Sequence, residues 1–150
     1  MTYAELKNRQ QEEVNKLPLY WAFNDSQWEG VLKELGLTEA NYKKHLASFH
    51  SAIVRKTDIP MIVATLARHR KEMSEAMQDI EFFKSAVLYE MRNHEYGINW
   101  QGDYDVINAL GFDVRYSDGN ELIECKMSDE QKRAYREVRQ KYYADYSDDF

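Results

Sequence analysis

Apolar residues recur along this chain at spacings that switch between the helix and strand periods, and the switches mark the elements. From Tyr3 to about Lys16 the pattern is helical. Thr2 and Glu5 have the spacing of a capping box, in which hydroxyl and carboxylate satisfy each other's backbone N–H groups, and Pro18 ends the run. "LYWAF" (19–23) is short and aromatic, and reads as a buried strand or as an apolar loop inserted in the core. "NDSQWEGVLKELG" predicts a second helix, with Trp28, Val31, Leu32 and Leu35 on one face and Gly36 as its stop. Residues 38–57 are the least legible: "TEANYKKHL" has a helical flavour and "FHSAIVRK" that of a short strand.

Asp58, Ile59 and Pro60 open the clearest helix. Ile62, Leu66, His69, Met73, Met77 and Ile80 recur every three or four residues. "EFFKSAVLYEMRNHEY" is a further helix, continuous with it or following a kink near Ile80, with Phe83, Val87 and Met91 on its apolar side. "DYDVINALG" is a short helix closed by Gly111. "FDVRY", "SDGN" and "ELIEC" alternate around an Asp-Gly turn as a hairpin does. Ser128 and Gln131 form a second capping box and start a last helix striped by Tyr135, Val138, Tyr142 and Tyr146, with "SDDF" as a frayed tail. The predicted fold is α+β and mostly helical: five to six helices, one β-hairpin in the C-terminal half at about 112–125, and a final helix. Residues 1–127 are expected to form a single α-rich globular domain, and 128–150 an amphipathic helix packed on it with a frayed acidic tail.

Composition narrows the function classes. The single cysteine, Cys125, removes intrachain disulfides and zinc sites built on two cysteines; its place at a strand end suits a structural thiol. The polar N-terminus lacks the apolar core of a signal peptide, and no apolar run approaches the ~20 residues that span a bilayer. A soluble protein of the cytoplasm is expected. The net charge of −6 is unevenly spread: residues 55–71 hold five Lys/Arg against one Asp/Glu, whereas 72–124 hold three against twelve. Such an acidic block repels phosphate backbones and favours cationic partners.

Residues 93–112, "NHEYGINWQGDYDVINALGF", gather a histidine, three carboxylates, four aromatics and three glycines. As a metal site they fail on spacing. His94 and Glu95 are adjacent and point about 100° apart on a helix. Counting a calcium loop from Asp103, Asp105 fits the third position, but Ile107 and Val114 occupy the fifth and twelfth. A structural reading accounts for more of the residues. Gly97 stops one helix, Asp103 N-caps the next, Gly111 closes it, and Tyr96, Ile98, Trp100 and Phe112 anchor the connection. Helix, turn, helix and hairpin is also the order of a winged helix-turn-helix. The recognition helix would then be "DYDVINAL", which has no Lys or Arg, so no direct duplex DNA binding is expected.

No phosphate-loop, dinucleotide or nucleophile-elbow motif occurs. In the last helix Lys132, Arg133, Arg136, Arg139 and Lys141 interleave with Tyr135, Tyr142 and Tyr143. That pattern suits single-strand binding, but more closely a helix packed by tyrosines and solvated by its cations.

"MTYAELKNRQQEEVNKLP", "YWAFNDSQWEGVLKELGL", "VRKTDIP" and "LYEMRNHEYGI…GDYDVINALGF" together resemble a family of small uncharacterised proteins of phages and mobile elements of gut Firmicutes, over residues 1 to about 113. The resemblance implies a genomic setting in which small acidic proteins bind host proteins, anti-restriction and anti-CRISPR inhibitors among them; it assigns no functional residue. The expectation is therefore a non-enzymatic binding protein without catalytic residues, cofactor or metal. Its partner would be a host protein with a basic surface, such as a nucleic-acid-binding nuclease. Glu72, Glu75, Asp79 and Glu81 are the first candidates for contact, and Glu90, Glu95, Asp103 and Asp105 the next. The alternative is a homo-oligomeric structural or regulatory module, a homodimer through Tyr135, Val138, Tyr142 and Tyr146.

Overall fold

In the computed structural model residues 1–97, 102–112, 114–116 and 122–148 are described, with side chains except at 114–116, 122–125 and 146–148. The order is α1 (Tyr3–Asn15), α2 (Asp25–Leu35), α3 (Tyr42–His45), β1 (Leu46–Phe49), β2 (Ala52–Arg55), a 3-10 turn (Lys56–Asp58), α4 (Ile59–Ala76), α5 (Ile80–Asn93), α6 (Gly102–Ala109), β3 (Val114–Tyr116), β4 (Leu122–Cys125) and α7 (Asp129–Asp148). The fold is mostly helical α+β. Both capping boxes form. The Glu5 N–H donates to Thr2 Oγ1 at 3.1 Å while the Thr2 N–H donates to Glu5 Oε2 at 2.9 Å. Gln131 and Ser128 exchange the same pair at 3.1 and 2.9 Å. Gly36 ends α2 at φ 69, a backbone that other residues adopt only with strain.

The stripe from Ile62 to Ile80 does not form one helix. Residues 77–79 break it, because the Asp79 carboxylate accepts from the Phe82 N–H at 2.8 Å and caps α5 as a new start. Strands follow the prediction in the C-terminal half, where β3 and β4 pair antiparallel, with a register irregularity between Arg115 and Tyr116. The turn at 117–120, Ile98, Trp100, the Cys125 and Tyr146 side chains and the last two residues lie outside the description. A second hairpin was missed. β1 pairs with β2 from Leu46↔Arg55 to Phe49↔Ala52, and Tyr20 of "LYWAF" bridges Ile53. Its two-residue turn, His50-Ser51, has φ values of 48 and 70, as a primed hairpin turn requires. The Asn-Gly signal that betrays such turns is absent.

The chain divides into two compact units. Unit 1 comprises Met1–Arg9 and Glu72–Phe150; unit 2 comprises Gln10–Lys71. In unit 1, Phe83, Ala86, Val87 and Met91 of α5 are fully buried and pack with Val106 and Ile107 of α6 and Ala134 and Tyr135 of α7. Burying such apolar side chains contributes about 1.5–3 kcal/mol each for the larger ones. In unit 2, Val31, Leu32 and Leu35 of α2 pack with Leu46 of β1, joined at the margin by Tyr20, Trp28, Tyr42 and Ile53. The Trp28 ring meets Tyr42 edge-on at 5.0 Å, and its indole N–H donates to Glu39 at 2.8 Å.

Candidate functional site

The break between α4 and α5 creates the most distinctive surface of unit 1. Glu72 and Glu75 end α4, Asp79 caps α5 and Glu81 lies in its first turn; all four line one open groove of about 680 Å³. Leu6, Ala76 and Phe82 supply apolar wall, with Met1, Thr2, Arg9 and Ser85 completing the lining. Four carboxylates thus face a cleft with one guanidinium, that of Arg9, which pairs with Glu72. The Glu81 side chain is 82 % exposed and 3.8 Å from Lys84 Nζ. Lys84 lies closer to Glu137 of α7, at 2.9 Å. That pairing raises the Lys84 pKa and lowers that of Glu137.

Of the second four candidates, Glu90 is turned inward. At 1 % exposure it presents nothing to a partner. Its Oε1 accepts from the Tyr3 hydroxyl at 2.5 Å and from Lys7 Nζ at 2.9 Å, and its Oε2 lies 3.3 Å from His94 Nε2. Burial pushes the Glu90 pKa up, but the hydrogen bonds from Tyr3 and Lys7 with the charges of Lys7 and His94 together hold it below the ordinary carboxylate value. The Lys7 ammonium also sits 5.5 and 5.3 Å from the Tyr3 and Tyr89 ring centres.

Asp103 likewise serves the interior. It is not an N-cap: α6 begins at Gly102, which puts Asp103 inside the first turn. Its Oδ1 accepts from Tyr96 at 2.7 Å and Tyr135 at 2.5 Å, and Oδ2 lies 3.3 Å from Arg139 Nη1. Burial, reinforced by this carboxylate, raises the pKa of both tyrosines. Gly102 permits the arrangement, since a Cβ there would lie 2.5 Å from the Tyr96 ring. The left-handed backbone after α5 falls at Glu95 (φ 52), two residues before the expected Gly97, and Glu95 is exposed. Asp105 is half-exposed on α6. Within 93–112, Tyr96, Gly102 and Asp103 thus hold the connection together.

The proposed dimer stripe is occupied from within. Tyr135 is 3 % exposed, and Val138 and Tyr142 pack against the unit 1 core. Tyr142 meets the Tyr96 ring edge-on at 5.6 Å, and its hydroxyl accepts from the Gly97 N–H at 3.4 Å. Among the described residues no three His, Cys, Asp or Glu side chains gather as a metal site. No helix there is long and apolar enough to cross a membrane. Sequence reasoning missed Arg9, Leu6 and Phe82 in the groove and Tyr3 and Lys7 beside Glu90. Only the Glu90–His94 spacing of four was a local signal.

Comparison with known proteins places the chain once this geometry is in view. The chain belongs to DUF7659. This family of unknown function matches residues 2–126, which includes β3 and β4 and leaves α7 outside. The DUF7659 region therefore reaches past residue 113, and the hairpin belongs to it. No curated protein and no solved structure matches the chain.

Proposed function

We propose that this protein is a non-enzymatic binding protein whose unit 1 groove engages a basic surface on a partner protein. The observation that carries the reading is the convergence of Glu72, Glu75, Asp79 and Glu81 on one open cleft with apolar wall. A lysine or arginine entering it would lay its aliphatic stem on Leu6 and Phe82 and its head among carboxylates. Such an interface favours fast association and weakens with salt. The resemblance to proteins of phages and mobile elements supplies the setting: action in the cytoplasm of a bacterial host, as an anti-defence inhibitor of the anti-CRISPR or anti-restriction kind. The partner class is then a nucleic-acid-handling protein such as a nuclease, whose basic channel the carboxylates occupy in place of phosphates.

The test is capture from a gut Firmicutes lysate at low and high salt, followed by mass spectrometry. The expected result is a nucleic-acid-handling protein that salt releases and that Glu75→Lys with Glu81→Lys fails to capture. Capture of the same protein by that double variant at undiminished yield contradicts the proposal.

A further inference from the structure

A second charged surface, of opposite sign, lies in unit 2. Lys43, Lys44 and His45 are consecutive and exposed on α3, and β1 begins at the next residue. Leu46 pairs with Arg55, which sets Arg55 beside the end of α3, and Lys56 follows. Lys56 Nζ donates to the Lys43 carbonyl at 3.0 Å, and Arg55 Nη2 to the Leu35 carbonyl at 3.3 Å. Main-chain oxygens thus hold two of the four cations among these five residues, Arg55 and Lys56. Among the described residues none of the five pairs with a carboxylate. Several cations elsewhere are matched: Lys7 with Glu90, Arg9 with Glu72, Arg68 with Glu13, Lys84 with Glu137 and Arg139 with Asp103.

The same small sheet carries exposed rings. Immediately after Tyr20, which bridges Ile53 of β2, come Trp21 and Phe23, 48 and 83 % exposed and stacked with their planes 9° apart. Acidic peptide and nucleic acid would both meet the cations, but only nucleic acid also has bases that stack on such rings. A duplex is disfavoured, because its dense, stiff charge meets the field of a chain of net charge −6. A single strand is more sparsely charged and pliant enough to follow a patch of this size.

We propose that the Lys43, Lys44, His45, Arg55 and Lys56 cluster of unit 2 binds the phosphate backbone of a single-stranded nucleic acid, with Trp21 and Phe23 as base-stacking rings. The inference stands on unit 2 alone and does not depend on the groove of unit 1. Fluorescence anisotropy of a short labelled single-stranded oligonucleotide, titrated with the full chain across a salt series, tests it. Three or four phosphate contacts give a log K against log salt slope of about −2 to −3, with a dissociation constant of about 1–100 µM at low salt. Lys43→Gln with Lys44→Gln, both solvent-exposed, should weaken binding at least about tenfold and flatten the slope by about one. Trp21→Ala should weaken it without changing the slope, and circular dichroism verifies that each variant is folded. No saturable binding at low salt overturns the proposal. So does an unaltered affinity in the lysine variant, or equal or tighter binding of a duplex or of poly-glutamate.

Discussion

Unit 1 and unit 2 solve the same problem, holding a few helices together, with different materials. Unit 1 carries a net charge of −8 and unit 2 of +2. Unit 1 nevertheless turns carboxylates inward: Glu90 is buried and held by Tyr3 and Lys7, and Asp103 is half-buried and held by Tyr96, Tyr135 and Arg139. Unit 2 keeps a smaller apolar core and uses main-chain oxygens to hold Arg55 and Lys56. An acidic block in a sequence is thus partly interior wiring and partly surface. The part at the α4–α5 break faces outward into a cleft.

The largest expected effect breaks the interior wiring of unit 1. Glu90→Ala leaves the buried Tyr3 hydroxyl without its acceptor and should cost about 1–3 kcal/mol in chemical denaturation. Lys7→Ala instead leaves the buried Glu90 carboxylate to Tyr3 and His94 and should cost at least as much. A negligible loss in either variant would show that Glu90 is not the centre of the cluster. Next, Gly102→Ala drives a methyl into the Tyr96 ring that Asp103 holds in place, with an expected loss of about 1–3 kcal/mol. The contrast in unit 2 is a gain. His50→Asn with Ser51→Gly relieves two positive-φ residues in the β1–β2 turn and should stabilise by about 1 kcal/mol. A loss there would mean that the native side chains hold the turn through contacts.

The smallest effect concerns acid. In unit 2, hydrogen bonds from Arg68 and then His69 lower the Glu13 pKa to about 2. A carboxyl with a folded pKa below its unfolded value stabilises the fold above the unfolded value, near 4.5, and that contribution disappears as pH falls toward 2. Glu13→Gln should therefore shrink the stability difference between pH 6 and pH 3, read from thermal melts. An unchanged difference would place the acid sensitivity elsewhere.

Legibility in the sequence followed the range of the signals. Capping boxes, Gly36, Gly111 and the α5 stripe act within one or two turns of helix, and all were readable. The β1–β2 hairpin was legible only in part: "FHSAIVRK" read as a short strand, but its His-Ser turn carries no Asn-Gly signal and β1 lies in a stretch with a helical flavour. Asp79 was read as surface charge although it is also the cap that splits α4 from α5. Four of the eight carboxylate candidates do share a groove. Glu90 and Asp103 were misread because their partners, Tyr3 and Lys7 or Tyr135 and Arg139, lie 32 to 87 residues away.

The comparison of the two units rests most directly on one parallel capture. Wild type, Glu75→Lys with Glu81→Lys, and Lys43→Gln with Lys44→Gln are each used as bait for the partner protein, with nucleic acid digested beforehand, at low salt. The account predicts that the groove variant loses the partner while the unit 2 variant keeps it. Loss in the unit 2 variant with retention in the groove variant would contradict the assignment of protein binding to the acidic cleft.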